Sequence, residues 1–360
     1  MKKPKVLMAM SGGIDSTVAA MLLLKEGYEL VGLTFRSYDS ISQACFEKEK
    51  GCCNINSILE AKYMSEKLGF EHHILDIRKE FRDTIISNFI EEYLHGRTPN
   101  PCVLCNSHIK WGYLLDFADE HDCKWIATGH YARIKKENKR YFLQKGIDSN
   151  KDQSYFLWTL TQENLSRTLF PLGWKTKQEV RNIARTNGYK KLSEKKESQE
   201  ICFVPNNDYR EFLKENVENF IEKNVPGDVL DISGNIVGKH KGIAYYTIGQ
   251  RKGLHISFGI PKYICAIDAV HNTITIGDKE DLLSKKLSIL NFNLQKYASL
   301  PHSFNGEIKI RYSDIGHQAC IKQHDNQLEA YFTDAVVSVT PGQSAVIYEN
   351  EDLVGGGFIQ

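Results

Sequence analysis

The sequence predicts an α/β protein: an N-terminal doubly wound parallel sheet, a small mainly-β central part and a C-terminal β-barrel. Three observations carry this expectation. Short apolar runs alternate with helix-forming stretches as far as about residue 130, the pattern of a parallel sheet covered by helices on both faces. A glycine-rich turn, Ser11-Gly12-Gly13-Ile14-Asp15-Ser16, divides the first apolar run from the first helical stretch. From about residue 205 helix signals thin out, and short β-like runs broken by glycine continue to the end, as in small barrels or sandwiches.

Taken in order, Val6–Met10 reads as the first strand, Ser16–Lys25 as a helix stopped by Gly27, and Leu30–Phe35 as the second strand. Ile58–Leu68 reads as a helix ending at Gly69, His72–Ile77 as the third strand, Phe81–Leu94 as an amphipathic helix and Trp125–Thr128 as a further strand. Asp208–Val217 is the last clear helix. Beyond it, Asp231–Lys241, Tyr263–Gly277, Glu307–Tyr312, Glu329–Phe332 and Ala345–Tyr348 are the clearest β runs. These changes of texture divide the chain at 1–205, 206–280 and 281–360.

With 46 Lys plus Arg against 45 Asp plus Glu, net charge alone points to no polyanionic partner. Its distribution is uneven: residues 1–205 carry 31 basic and 26 acidic side chains. No apolar run reaches membrane-spanning length, and the apolar part of the N-terminal end is too short for a signal peptide. Nine cysteines, an odd number in a long chain, argue against a disulfide scaffold and for a reducing cytoplasm.

The glycine turn is the sharpest signal. Two glycines let backbone N–H groups converge, the following helix adds its positive end, and Ser11, Ser16 and Thr17 add hydroxyls. Asp15 repels phosphate unless a magnesium ion lies between them. No Gly-Lys-Ser/Thr follows, so the turn is not of Walker type. It resembles the SGGxDS loop of the ATP pyrophosphatase (PP-loop) enzymes. That resemblance implies ATP with Mg2+, held by Ala9, Met10, Ser11, Gly12, Gly13, Ile14, Asp15 and Ser16, with Phe35 and Gly129 bordering the nucleotide.

The second signal is Pro99-Asn100-Pro101-Cys102-Val103-Leu104-Cys105, where prolines set a rigid turn before a helical stretch. Thiols near a helix N-terminus are more acidic. A lone C-x-x-C also fits a redox pair or part of a zinc site. Cys202, in Ile201-Cys202-Phe203-Val204-Pro205, stands on a short run stopped by proline.

Together these segments resemble the tRNA-specific 2-thiouridylase (MnmA/TrmU) family over essentially the whole chain. The marks are SGGIDS, Gly51-Cys52-Cys53, GRTPNPCVLCN at 96–106, ATGHYAR at 127–133, DSNKDQSYFL at 148–157, ICFVP at 201–205, TIGQRKGL at 247–254 and TPGQSAV at 340–346. The resemblance implies an adenine nucleotide α-hydrolase-like PP-loop domain at 1–205, a tRNA-contacting central domain at 206–280 and a β-barrel at 281–360. It implies adenylation of the C2 oxygen of the wobble uridine of tRNA, then sulfur transfer giving 2-thiouridine, AMP and pyrophosphate. Cys202 is then the persulfide carrier, fed by a persulfide sulfur-donor protein, and Cys105 its partner thiol. Asn100, Pro101 and Cys102 are expected to touch the everted base. His130, Lys151, Asp152, Gln153, Arg311, Tyr312 and Gln343 are expected to hold the tRNA, with Gln250–Gly253 and the basic clusters at 133–140 and 190–196 as further candidates.

Cys102 is a departure, since many members carry Asp there. Three thiols, Cys102, Cys105 and Cys202, can instead hold a 4Fe-4S cluster with one iron open to sulfide, although such clusters normally take four cysteines. Other readings are a PP-loop enzyme linked to an amidotransferase, a thiolase for another tRNA position, and a catalytically inert tRNA-binding protein.

Overall fold

The computed structural model describes residues 4–38, 55–195, 201–253 and 261–360. Cys45, Cys52, Cys53 and the 197–200 part of the segment before Ile201 lie outside the described residues.

The chain divides into two compact units. The first holds the segments up to Ile85, from Cys102 to Asn207 and from Glu351 to Val354. Its centre is a five-stranded parallel sheet. In chain order the strands are β1 (Lys5–Ala9), β2 (Glu29–Arg36), β3 (Glu71–Asp76), β4 (Trp125–Ala127) and the two-residue β7 (Thr168–Leu169); in space the order is β3-β2-β1-β4-β7. Side chains alternate along β1. Val6 and Met8 pack with Val18 and Ala19 of helix α1 (Ile14–Lys25), Ala61 and Met64 of α2 (Ile55–Leu68), and Val180 and Ala184 of α5 (Lys177–Thr186). Helix α4 (Trp111–Glu120) also packs against β1 and β4. The sheet is therefore wound on both sides, as expected. Because β2 and β4 flank β1 in opposite directions, the carboxyl ends of β1 and β4 form the switch point where ligands bind in such sheets.

A hairpin of β5 (Ala132–Glu137) and β6 (Arg140–Lys145) completes this unit. Arg133 donates to Glu351 at 2.7 Å, and Gln144 donates to Asp352 at 2.6 Å.

The second unit holds Ile86–Pro101, Asp208–Asn350 and Gly355–Gln360. The segment 86–101, which strand–helix alternation places with the N-terminal part, belongs here because of its aromatic face. The rings of Tyr93 and Tyr209 stack at 4.3 Å, and Phe89 meets Phe212 edge-on at 5.8 Å. Tyr209 opens helix α6 (Tyr209–Asn216), which Asp208 caps by accepting from the N–H groups of Arg210 and Glu211. The expected single helix over 81–94 breaks into α3 (Arg78–Phe81), a π-helical turn at Arg82–Ile86 and a second α-helix at Ser87–Leu94. Periodicity alone does not show such a break.

Two β structures follow. A four-stranded sheet orders β8 (Gly227–Leu230), β9 (Ile236–His240), β10 (Tyr263–Asp268) and β11 (Thr273–Gly277) as β10-β11-β8-β9, over a core of Val229, Ile243, Tyr246, Ile264, Ile274 and Ile276. The barrel uses β12 (Leu283–Leu294), β13 (Phe304–Lys309), β14 (His317–Gln323), β15 (Gln327–Val337), β16 (Ser344–Glu349) and β17 (Asp352–Ile359), in the order β12-β15-β14-β13-β16-β17. It closes where Leu294 pairs with Gly355 and Ile289 with Ile359. Alternating burial along β13 and β14 points Phe304, Ile308, Ala319 and Ile321 inward. Closure removes the open edges that a sheet of this size would otherwise expose.

Candidate active site

The glycine turn stands at the switch point of the parallel sheet. Met10 continues β1 by donating its N–H to Leu33 O at 2.8 Å. Thr34 Oγ1 fixes the next peptide, donating to Met10 O at 2.8 Å while meeting His72 Nε2 at 2.8 Å. The chain then turns at Gly12 (φ +70°), and a Cβ there would lie 2.2 Å from Ser57 O. No L residue fits that place. Ser16 Oγ accepts from Ser11 N–H at 3.2 Å, and Thr17 Oγ1 donates to Gly13 O at 2.9 Å. Among the described residues, the N–H groups of Gly12, Gly13 and Ile14 make no hydrogen bond. Orphaned amides at a helix start are a seat for an anion.

Gly129 follows β4 and backs onto this turn. A Cβ there would lie 2.8 Å from Ser16 N and 2.9 Å from the Asp15 carbonyl carbon. Gly129 therefore lies against the backbone of the loop. Phe35 lies near the carboxyl end of β2 and is half-buried.

Asp15 is engaged by neighbours that the sequence did not single out. Lys177 Nζ donates to both carboxylate oxygens at 2.8 Å, and the Tyr131 hydroxyl donates to Oδ1 at 2.7 Å. Lys177 is buried at the start of α5, where Thr176 and Glu179 form a capping box. That box was the available signal: a Thr-x-x-Glu helix start aims its first side chains in a fixed direction.

The thiol segment is a short helix, Pro101–Leu104, then a π-helical turn, Cys105–Lys110, running into α4. Cys102 is exposed; Cys105 and Cys202 are half-buried. Asn106 is buried, donating to Phe156 O at 2.9 Å and accepting from Lys110 Nζ at 2.9 Å. The π turn puts Cys105 and Asn106 off the regular helical phase, a device found at functional sites. Helix α3 touches this turn, and its Phe81 packs edge-on against Phe203, next to Cys202, at 5.7 Å. Both thiol segments thus share α3 as a neighbour. Among the described residues no three His, Cys, Asp or Glu side chains form a group able to hold a metal ion. Cys102, Cys105 and Cys202, as placed here, do not fit a three-cysteine cluster.

His130 follows Gly129 and lies between Trp111 (5.8 Å) and Phe170 (6.1 Å). Its Nδ1 meets Thr128 Oγ1 at 2.7 Å. Burial, helped by the Lys110 charge, lowers its pKa from 6.5 to about 3. Burial likewise lowers His72 to about 4, with His73 and Lys62 adding to the effect. Both rings are neutral in the folded chain at neutral pH, whereas the unfolded rings take protons below about 6.5. The stability they contribute is full above that value and falls as pH drops through 6 towards 4. The urea midpoint should decline between about pH 7 and about pH 5; a flat profile there contradicts the neutral assignment.

Several expected tRNA contacts prove to be braced internally. Asp152 is buried, and its carboxylate accepts from the N–H groups of Gly146 (2.9 Å) and Ser154 (3.1 Å) and from the Ser154 hydroxyl (2.9 Å). Gln153 Oε1 accepts from Tyr131 N–H at 3.0 Å. Lys151 is half-buried and Arg311 exposed, and Tyr312 is 41% exposed. Gln343 donates to Thr98 O (3.2 Å) and Pro99 O (3.0 Å), Asn100 donates to Ser344 Oγ (3.5 Å), and Thr98 N–H donates to Pro341 O (2.9 Å). The 340–344 turn of the second unit thus straps the Thr98–Asn100 stretch in place. Pro101 opens the short helix that follows.

Residues 4–206 match the family model described as tRNA methyl transferase HUP domain. Residues 210–278 match the tRNA methyl transferase PRC-barrel domain, and residues 284–359 the Aminomethyltransferase beta-barrel domain. A curated relative from Amoebophilus asiaticus, tRNA-specific 2-thiouridylase MnmA, is 50% identical over 100% of this chain and 96% of its own. The chain belongs to the tRNA-specific 2-thiouridylase family. Its member from Cytophaga hutchinsonii is 47% identical over 100% of this chain and 98% of its own. One from Clostridium botulinum (strain Loch Maree) is 41% identical over 99% of each. No described helix of this thiouridylase-family chain is long and apolar enough to cross a membrane.

Proposed function

We propose that the chain is an ATP-dependent tRNA sulfurtransferase that makes 2-thiouridine at the wobble position, working in the cytoplasm with a persulfide-donating protein. One observation carries the reading: the unit that holds the open amides of the glycine turn also holds Cys105 and Cys202, whose segments both touch α3.

The uridine C2 oxygen attacks the α-phosphorus of ATP, and pyrophosphate leaves. A persulfide on Cys202 attacks C2 through its terminal sulfur, and AMP leaves with the former C2 oxygen. The Cys105 thiolate then attacks the inner sulfur of Cys202, the persulfide S–S bond breaks, and the terminal sulfur stays on C2. The resulting Cys105–Cys202 disulfide takes two electrons from a thiol reductant before the next cycle.

The turn amides seat the phosphates, and magnesium would sit between them and Asp15, withdrawing charge from the triphosphate. The neutral His130 ring, flanked by Trp111 and Phe170, offers the everted base a flat surface with no positive charge.

Lys151, Arg311 and Tyr312 are the RNA contacts, while Asp152, Gln153 and Gln343 hold the backbone segments that present them or the base. A second-unit cleft of about 570 Å³ is lined by Arg210, Lys214 and Lys241 together with Asp208 and Glu211, and among the described residues none of the three basic side chains is ion-paired. A Lys151→Ala, Arg311→Ala double variant should bind tRNA more weakly and lower the slope of log affinity against log salt by about 2. Filter binding across a salt series measures this, and an unchanged slope removes both residues from the contact list. The proposed function itself is tested by thiolation of an unmodified transcript, read by nucleoside mass spectrometry. Product other than 2-thiouridine at the wobble position overturns it.

A further inference from the structure

Trp174 is 62% exposed, although the turn that carries it is closely held. Gly173 N–H donates to Phe170 O at 3.1 Å, Lys175 N–H to Leu172 O at 3.0 Å, and Ile147 N–H to Gly173 O at 3.2 Å. A Cβ on Gly173 would lie 2.1 Å from Ala132 O, so the turn is pressed against the start of β5. Beneath the Trp174 ring lies the guanidinium of Arg133, with its central carbon 4.6 Å from the ring centroid. Arg133 is buried and itself fixed, donating to Lys145 O and to Glu351 Oε2, each at 2.7 Å. The indole is thus set on a cation by one face and turned to water by the other.

Covering Arg133 needs only an apolar side chain. A flat ring with a wet face leaves apolar area for another molecule to bury. Ile147, bonded to the residue before Trp174 and 45% exposed, extends that area. The surroundings select the partner. Lys145, Lys151 and Lys175 stand on the segments that flank the ring, while Asp148 and Glu351 on the same segments are engaged. Asp148 accepts from the N–H groups of Lys177 (2.8 Å) and Asn150 (3.1 Å), and Glu351 holds Arg133. A flat aromatic surface among basic side chains suits single-stranded nucleic acid, whose bases stack while its phosphates meet the cations. We infer that Trp174 is a stacking platform for an unpaired base of the RNA substrate, other than the base placed against His130. This rests on the proposed action on tRNA and adds to it a contact that no motif of the sequence marks.

Filter binding of an unmodified tRNA across a salt series tests this with two variants. Trp174→Leu keeps an apolar cover over Arg133 but removes the flat face, and Trp174→Phe keeps a ring. Trp174→Leu should bind at least about fivefold more weakly, the low end for a lost base–aromatic stack. Trp174→Phe should stay within about threefold of wild type. Both should keep the wild-type salt slope, because no phosphate contact is lost. Fluorescence gives a second readout that does not depend on the leucine variant. Trp111 and Trp158 are buried, so tRNA should quench the emission of the wild type, and Trp174→Phe should bind tRNA with most of that quenching gone. Trp174→Leu equal to wild type in affinity, or quenching unchanged in Trp174→Phe, overturns the platform. So does normal tRNA affinity in Trp174→Leu with sulfur uptake from a persulfide donor impaired, which would give this face to a protein. Wild-type protein that binds no tRNA overturns the proposed function together with the platform, whereas wild-type protein that binds tRNA no better than Trp174→Leu overturns the platform alone.

Discussion

Replacing Cys202 by serine should cut 2-thiouridine formation by at least about a thousandfold, the scale on which covalent catalysis is lost with its nucleophile, while a first round of tRNA-dependent pyrophosphate release continues. The two outcomes separate because the carrier thiol acts after adenylation. A serine hydroxyl carries no persulfide, yet it changes neither the glycine turn nor the Phe203–Phe81 contact beside it. Cys105→Ser should stop turnover after AMP has left, with Cys202 still joined through the transferred sulfur to C2 of the tRNA, detectable as a reductant-sensitive protein–RNA adduct on a denaturing gel. Cys102→Ser is the informative control. On the persulfide route an exposed Cys102 is dispensable for sulfur transfer, and activity should stay within about tenfold of wild type. Loss of thiolation in all three serine variants, with iron and sulfide in anaerobically purified protein, would replace the persulfide route by cluster chemistry and require these thiols to converge.

Gly129→Ala should lower ATP-dependent AMP release by about a hundredfold. The added methyl would lie 2.8 Å from Ser16 N and 2.9 Å from the Asp15 carbonyl carbon. Those are backbone atoms, so the turn itself must shift. A displacement approaching 1 Å at a reacting group costs about two orders of magnitude, and the strain costs about 1–3 kcal/mol of stability. Gly112→Ala is the matched control. It lies within α4 with nothing inside 4 Å of its added Cβ, and there alanine should be neutral or stabilising by up to about 1 kcal/mol. Steady-state AMP release and the thermal midpoint, measured side by side, check both. Equal activity in the two variants would mean that Gly129 does not fix the loop.

The parts legible in the sequence were those that local physics fixes. A strand, two glycines and a helix in succession dictate a tight turn into the helix start, and the strand–helix alternation dictates a parallel sheet. The helix expected over Asp208–Val217 is found at Tyr209–Asn216, with Asp208 as its cap. The π turn at Cys105–Lys110 was not legible, because one extra residue in a turn leaves apolar spacing nearly unchanged. Nor was the place of Ile86–Pro101, set by the stacking of Tyr93 on Tyr209 across more than a hundred residues of chain.

By itself, then, the order of residues determined the fold class and the glycine turn between the first strand and the first helix, since backbone conformation is a property of short segments. Tertiary structure alone decided which groups surround them. It set Lys177 and Tyr131 against Asp15, turned Asp152 inward, and gave Gln343 the carbonyls of Thr98 and Pro99 to hold. The reason is physical: a charge or an amide far along the chain acquires its partner only when packing has set the distance between them. No pattern in sequence carries that distance.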